Sequence, residues 1–291
     1  MSTYAAVTKK MDLWAPVLHR YHLVDWIYVW LLFGGFLVLE EMNPFFSMFS
    51  LDDVSIQHPY ATSERVTSIN GVIINVTVPV GVMVLMTPLL HRKGDWKHVL
   101  NVSLLSLAHS IFLTEFVTDL LKNTIGRTRP DFIARCMPAP GTPLTGLVGI
   151  EVCTNPNMGV LYDGFRSTPS GHSSLSFAGL GFLSAWLAGQ LHIFQPGAEL
   201  FKTMFSLIPL VMGLFIGISR IEDYRHHITD IIFGGVIGTL VAWYSYRKFF
   251  PHLGRSDSDA PLAIKDVTDA KPYAYGEFHD SLDSLEAQKY Q

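Results

Sequence analysis

The chain has 291 residues, of which 49% are hydrophobic and only 16% are charged, and its mean hydropathy is positive. Ordinary soluble domains carry a charge at about a quarter of their positions, so this composition indicates a protein that is integral to a bilayer. The net charge of −4 and the lack of a Lys/Arg-rich block argue against a nucleic-acid partner and favour lipid.

Six apolar runs are long enough to cross a bilayer as helices, which takes about 20 residues each. In chain order they cover residues 23–41, 67–90, 98–121, 173–194, 200–219 and 228–248. No small-residue cleavage site accompanies the first run, so it is predicted to be a retained span and not a signal peptide. We therefore expect an all-α integral membrane protein built as a six-transmembrane-helix bundle.

A long connection, residues 122–172, separates the third and fourth runs and is rich in Pro, Gly and Arg. It is far longer than packed helices need, and loops of this length usually carry function. The predicted organisation is an N-terminal segment at 1–22, a six-span domain at 23–248 and a polar, acidic tail at 249–291. That tail is expected to be disordered and, like the N-terminal segment, cytoplasmic.

Basic residues outside the suspected site gather on one side of this six-span arrangement. They are Lys9, Lys10, Arg20, Arg92, Lys93, Lys97, Arg247, Lys248 and Arg255. The positive-inside rule then predicts cytoplasmic termini and an extracytoplasmic long loop between helices 3 and 4. Both cysteines, Cys136 and Cys153, lie in that loop, where an oxidising lumen or exterior would let them form a disulfide. Two free thiols are the alternative.

In this topology the ends of spans three and five meet the starts of spans four and six at the outer face. The polar clusters at those points read "KNTIGRTRPDF", "STPSGHSS" and "SRIEDYRHHITD". They bring Lys122, Arg129 and Arg220 together, with Arg127, Arg135, Arg166 and Arg225 nearby. Converging cations predict a site for a multiply charged anion such as phosphate, which the guanidinium fork fits.

Ser170 and Gly171 stand where the fourth span begins, and free backbone N–H groups at a helix start bind anions. A phosphate cradle with two or three histidines and no carboxylate cluster favours phosphoryl transfer through a phosphohistidine. Neutral imidazole is a competent nucleophile near pH 7. The Lys/Arg set neutralises the transferring group without a metal, and no cofactor is predicted.

The residues alone leave the choice of histidine open. If the sixth helix begins near Tyr224, both His226 and His227 share a helix face with Asp230, and Asp223 adds a further partner. A metal site at His226, His227 and Asp230 is the weaker alternative. Adjacent helical residues point about 100° apart, and the surrounding arginines would repel a cation.

Three motifs occur in order: Lys122 with Arg129-Pro130, the stretch Pro169-Ser170-Gly171-His172, and Ser219-Arg220 followed by His226 and Asp230. Together they resemble the signature of the type-2 phosphatidic acid phosphatase superfamily. The stretches "GRTRPDFIARC", "STPSGHSSLSFAGL" and "DYRHH" are similar to lipid phosphatases of the fungal diacylglycerol pyrophosphate phosphatase type.

The resemblance implies a role for each motif position. His226 would be the nucleophile, Asp230 its orienting carboxylate, and His172 the acid that protonates the leaving oxygen and then activates water. The implied phosphate ligands are Lys122, Arg129, Ser170, Gly171 and Arg220. His227 is left with a supporting contact or an exposed helix start.

The predicted function is metal-independent removal of phosphate from diacylglycerol pyrophosphate, phosphatidate or lysophosphatidate at the outer or lumenal leaflet. The alternatives are a lipid phosphotransferase, a polyprenyl pyrophosphate phosphatase and, from another class, a non-enzymatic transporter or scaffold. The membrane is that of the vacuole, the ER or Golgi, or the cell surface, and the sequence leaves the oligomeric state open.

Overall fold

A computed structural model describes residues 22–92 and 96–262 of the chain. Predictions for the N-terminal segment up to residue 21 and for the tail from residue 263 lie outside the described residues.

The described residues form helices and no strand, apart from two isolated β-bridges. The helices are α1 (Leu23–Glu40), α2 (Ser68–Leu90), α3 (Trp96–Ile125), α4 (Phe132–Cys136), α5 (Met158–Asp163), α6 (Gly171–Ser176), α7 (Phe182–Gln190), α8 (Leu200–Glu222) and α9 (Ile228–Phe249). Short 3₁₀ turns occur at Val54–Ile56 and Ile150–Val152. Five of the helices, α1, α2, α3, α8 and α9, are long and apolar enough to cross a membrane.

The fourth predicted span corresponds to a helical run that contains a π-helical turn. Helices α6 and α7 are joined without a break by the π-turn Phe177–Gly181. π-Helical turns are rare in proteins, and those that do occur often lie at functional sites. Because the turn divides the run, no single α-helix of span length lies here, and five helices of that kind are found among the described residues where six were predicted.

Helix α3 is the centre of the bundle, and it packs against α1, α2 and α9. Small polar side chains let its neighbours approach closely and satisfy one another inside the bundle. The Ser110 hydroxyl donates to the Ala178 carbonyl at 2.8 Å, and the Thr118 hydroxyl donates to Ser174 at 3.0 Å. These bonds fix α6 and the π-turn against α3.

Helix α9 lies directly on α6 because glycines face it. A Cβ on Gly234 would fall 2.5 Å from the Ser170 carbonyl oxygen, and a Cβ on Gly238 would overlap the Ser174 carbonyl oxygen. The starts of α6 and α9 are thereby held side by side. The second motif lies at the start of α6, and the third motif ends at the start of α9.

The long loop and the loop between α1 and α2 fold together into one structure. We call it the cap and define it as residues 44–67 and 126–170. It has its own apolar core, formed by Phe49, Ile56, Phe132, Cys136, Leu161 and Phe165. The Phe49 and Val148 backbones exchange hydrogen bonds at 3.0 and 2.8 Å, which joins its two parts. Cys136 and Cys153 form a disulfide in the cap.

The predicted tail starts with residues that pack on the bundle. The Ser258 hydroxyl donates to the Gly189 carbonyl at 3.0 Å, and the Gln190 amide donates to the Asp259 carbonyl at 2.8 Å. The Tyr246 hydroxyl donates to the Ser258 carbonyl at 3.2 Å. The chain after α9 is therefore held against α7 as far as these contacts reach.

Candidate active site

A cavity of about 280 Å³ lies between the cap and the end of the bundle where α3 and α8 end and α2, α6 and α9 begin. Six of the eight predicted catalytic and phosphate-binding residues line it: Lys122, Arg129, Gly171, His172, Arg220 and His226. The other two lie behind its wall, where the Ser170 backbone N–H donates to the Asp230 carbonyl oxygen at 3.0 Å.

A turn between α8 and α9 directs Arg220 and His226 to the same cavity. Helix α8 ends at Glu222, and Tyr224 adopts the left-handed conformation with φ 53°. The Arg225 backbone N–H then donates back to the Arg220 carbonyl oxygen at 3.0 Å. The Tyr224 ring stacks on His58 at a centroid distance of 4.4 Å. This reversal lets two residues of one short segment reach one ligand position.

His226 is held by a backbone carbonyl group. Its Nδ1 lies 2.7 Å from the Ser167 carbonyl oxygen, and the side chain is 4% exposed. A carbonyl oxygen only accepts, so Nδ1 carries the proton and Nε2 keeps its lone pair. Burial holds the pKa of His226 well below its ordinary value, and the charges of Arg129 and Lys122 act in the same direction. The ring is therefore neutral near pH 7, as a nucleophile requires.

The neighbouring His227 immediately precedes α9. The helix starts at Ile228 and not near Tyr224, so His226 lies outside it and shares no helix face with Asp230. His227 is the N-cap residue of a capping box in which its backbone N–H donates to Asp230 Oδ2 at 2.9 Å. Its Nδ1 lies 3.2 Å from the same oxygen. Asp230 thus pairs with the second histidine of the dipeptide, where the resemblance implied a direct contact with the first.

Asp230 is linked to His226 indirectly. Its carboxylate accepts from the Ser167 hydroxyl at 2.6 Å, from Arg127 Nη1 at 2.7 Å and from the Thr168 hydroxyl. Ser167 offers its hydroxyl to Asp230 and its carbonyl oxygen to His226. The carboxylate therefore fixes the segment that orients the His226 ring. No spacing rule in the sequence pointed to Ser167.

His172 stands at the start of α6 with two competing contacts. Its Nε2 lies 3.2 Å from the Val66 carbonyl oxygen and 3.3 Å from Arg220 Nη1. The carbonyl only accepts and the guanidinium only donates, so the two contacts require opposite tautomers. Next to it, a Cβ on Gly171 would fall 2.7 Å from Lys122 Nζ. Any larger residue here would displace the lysine ammonium group from its position.

Carboxyl groups line the cavity beside the cations, which corrects the expectation of a site without a carboxylate cluster. They belong to Glu40, Glu64, Glu115, Asp119 and Asp163. The physical reason is that a buried cation is costly unless a partner compensates it. These residues come from α1, α3 and both parts of the cap, so no local pattern in the sequence joins them.

Close ion pairs hold most of the cations. Lys122 Nζ lies 3.2 Å from Asp119, and Arg129 Nη2 lies 2.7 Å from Asp163. Glu64 bridges two arginines, with one oxygen 2.9 Å from Arg220 and the other 2.8 Å from Arg225. Arg220 also pairs with Asp223.

Two of these carboxylates are kept ionised by the arginines around them. Burial alone would raise the pKa of Glu64, but its bond to Arg220 and the charge of Arg225 lower it overall. Burial likewise opposes ionisation of Asp163, and the charges of Arg129 and Arg135 lower its pKa.

The other predicted cations have different positions. Arg166 lines the cavity, whereas Arg127 donates a hydrogen bond to the Asp230 carboxylate. Arg135 and Arg225 pack on the Tyr60 ring at 5.0 and 4.4 Å from its centroid. Within the described residues, no group of three or more His, Cys, Asp or Glu side chains is arranged to hold a metal ion.

The chain matches the family model described as "PAP2 superfamily" over residues 103–253, a range that includes all three motifs. It is 42% identical to diacylglycerol pyrophosphate phosphatase 1 of Saccharomyces cerevisiae, over 78% of this chain and 77% of that protein. It is 43% identical to the probable diacylglycerol pyrophosphate phosphatase 1 of Schizosaccharomyces pombe, over 75% and 77%. It is 34% identical to lipid phosphate phosphatase 2 of Arabidopsis thaliana, over 80% and 78%. No solved structure matches the chain.

Proposed function

The chain belongs to the PAP2 superfamily and is a multi-pass membrane lipid phosphatase, and from that premise we propose that it removes the terminal phosphate of diacylglycerol pyrophosphate, phosphatidate or lysophosphatidate. One observation carries the proposal. A neutral histidine, His226, directs a free Nε2 at a cavity that Lys122, Arg129 and Arg220 also line.

In the first step His226 Nε2 attacks the phosphorus atom of the terminal phosphate. The bond between phosphorus and the leaving oxygen breaks, and His172 donates a proton to that oxygen. The Nδ1–H of the phosphorylated ring stays on the Ser167 carbonyl oxygen, which stabilises the positive charge of the ring. In the second step His172 takes a proton from water, the hydroxide oxygen bonds to phosphorus, and the P–N bond breaks to release phosphate.

The cations stabilise the charge on the transferring group, which a loose phosphoryl transition state needs more than it needs a strong base. Lys122, Arg129 and Arg220 are already oriented by carboxylates at 2.7 to 3.2 Å. A bound phosphate takes over donors from these partners. When Arg220 turns to the phosphate, His172 loses one of its two incompatible contacts and can exchange the Val66 carbonyl for the leaving oxygen.

The proposed topology has six spans, with the run Gly171–Gln190 as the fourth, and places the cap in the lumen or outside the cell. The Cys136–Cys153 disulfide supports this side, because disulfides persist in oxidising compartments. Arg247 and Lys248 at the opposite end of α9 fit the cytoplasmic face. The lipid headgroup then enters the cavity while the acyl chains stay in the bilayer of the vacuole, the ER or Golgi, or the plasma membrane.

Phosphate release from labelled lipid by the purified protein tests the proposal. We expect release from at least one of the three lipids in detergent micelles with excess chelator, and inhibition by vanadate, which mimics the transferring group. Absence of release from every one of the three lipids, or release that requires an added divalent cation, would contradict the proposal. Transfer of the label to an added alcohol in place of water would show a phosphotransferase.

A further inference from the structure

Arg166 has an unusual set of partners for a cation that lines the cavity. Its Nη2 donates to the backbone carbonyl oxygens of Glu40 and Met42 at 3.0 and 2.5 Å. Carbonyl groups fix a guanidinium in place without cancelling its charge. The Glu40 carboxylate is 3.7 Å from Nη1, which is beyond hydrogen-bond distance. Among the described residues, Nε has no acceptor either.

The other cations of the cavity are compensated more closely. Lys122, Arg129, Arg220 and Arg225 each have a carboxylate oxygen within 3.2 Å. Arg166 therefore keeps more of its positive field and more of its donors than they do. A site for a single phosphate group would not need this additional charge. Arg166 also belongs to none of the three sequence motifs.

Contacts of the neighbouring backbone and of the guanidinium group fix where Arg166 lies relative to His226. The next residue, Ser167, holds the His226 ring through its carbonyl oxygen. On the other side the guanidinium is tied to the last turn of α1 and the residues after it. The side chain is 17% exposed, so it is accessible from the cavity. A group bound to Arg166 would lie in the same cavity as the phosphate under attack.

The substrate class follows from charge. A phosphate monoester carries about two negative charges at neutral pH, and a diphosphate monoester carries about one more, on a phosphoryl group that is not attacked. We propose that Arg166 is a second phosphate subsite that binds the lipid-linked phosphate of a diphosphate lipid while His226 attacks the terminal phosphate. This rests on the proposed function. Arginine suits the role, because Nη2 can stay on the two carbonyl oxygens while Nη1 donates to a phosphate oxygen.

Comparison of two lipids that differ by one phosphate tests the subsite. The Arg166→Gln variant and the parent protein are assayed on diacylglycerol pyrophosphate and on phosphatidate, at the same mole fraction in mixed micelles. We expect kcat/KM for the diphosphate lipid to fall at least about tenfold and that for phosphatidate less than about threefold. Arg166→Lys, which keeps a point charge, should recover part of the preference.

Arg65→Gln is the matched control, because Arg65 is a 63% exposed arginine at the same end of the bundle that pairs with Glu222. It should leave the ratio of the two kcat/KM values unchanged. Equal losses on both lipids in an Arg166→Gln protein that elutes as a folded species would overturn the subsite and make Arg166 a structural tie.

The subsite has a second measurement that does not require turnover. Inorganic pyrophosphate should stabilise the purified parent protein against heat at lower concentration than orthophosphate does, and Arg166→Gln should remove that difference. An unchanged difference would refute the subsite. Absence of turnover in the parent protein on every lipid would instead refute the proposed function, so the two failures are distinguishable.

Discussion

Replacing each of two adjacent histidines by alanine should have very different effects on turnover. His226→Ala removes the atom that we propose attacks phosphorus and leaves the cations in place. We expect the rate to fall at least about a thousandfold, which corresponds to about 4 kcal/mol of transition-state stabilisation. His227→Ala removes one side-chain contact of 3.2 Å to Asp230, while the backbone N–H of residue 227 still donates to that carboxylate at 2.9 Å.

The loss of that contact should cost about 1 kcal/mol at the start of α9, a typical value for a helix cap. The backbone N–H of residue 227 still holds the Asp230 carboxylate, which keeps its hydrogen bond from the Ser167 hydroxyl. The His226 ring therefore stays oriented, and activity should remain within about threefold of the parent. The variant should therefore unfold at lower temperature without a matching loss of turnover.

The assay is phosphate release from labelled lipid in mixed micelles, with gel filtration to show that each variant is folded. Quenching in alkali should trap a labelled protein in the parent and in His227→Ala, because a phosphohistidine survives base and is lost in acid. Equal losses of activity in the two variants, or a His226→Ala protein that keeps more than a tenth of the parent rate, would refute the choice of nucleophile.

Two further substitutions probe the phosphate cradle. Gly171→Ala places a Cβ 2.7 Å from Lys122 Nζ, so the ammonium group must move, and we expect kcat to fall at least about tenfold with little change in thermal stability. Glu64→Gln removes the charge of the carboxylate that bridges two arginines of the cavity; orthophosphate should then inhibit several-fold more strongly, and weaker inhibition would show that Glu64 supports those arginines instead of competing for them.

The convergence of the site was predictable because span direction alternates. Once six apolar runs are marked, the ends of the third and fifth runs and the starts of the fourth and sixth must meet at one end of the bundle. Lys122, Gly171 and Arg220 could be placed together on that basis, and the structure has them around one cavity. Long-range arrangement followed here from a simple topological constraint.

The partner of His226 was not predictable in the same way, because it depends on where one helix begins. Spacings of three and four to Asp230 are both acceptable on a helix. The capping box places the first helical residue at Ile228, which assigns Asp230 to His227. The bond that orients His226 comes from a backbone carbonyl group, and such an acceptor leaves no trace in residue types.

The carboxylates of the cavity show a second limit. Glu64 reads as one of several acidic residues in a loop, and Asp163 as part of a turn, until the cap folds. The fold of the cap depends on a disulfide and on aromatic packing such as Phe49 against Phe132, with ring centroids 4.7 Å apart. Contacts between two loops that are far apart in sequence have no periodic pattern to reveal them.

The pairing of cations with carboxylates has a consequence for turnover. Without these carboxylates, the five cations that line the cavity would hold inorganic phosphate tightly, and the product would then block the site. In the proposed mechanism the carboxylates beside Lys122, Arg129 and Arg220 keep the donors oriented and compete with phosphate for them. A transition state, which spreads charge over more oxygens and engages several donors at once, outcompetes the carboxylates more effectively than free phosphate does. In the proposed mechanism, this pairing of cations with carboxylates favours catalysis over product retention.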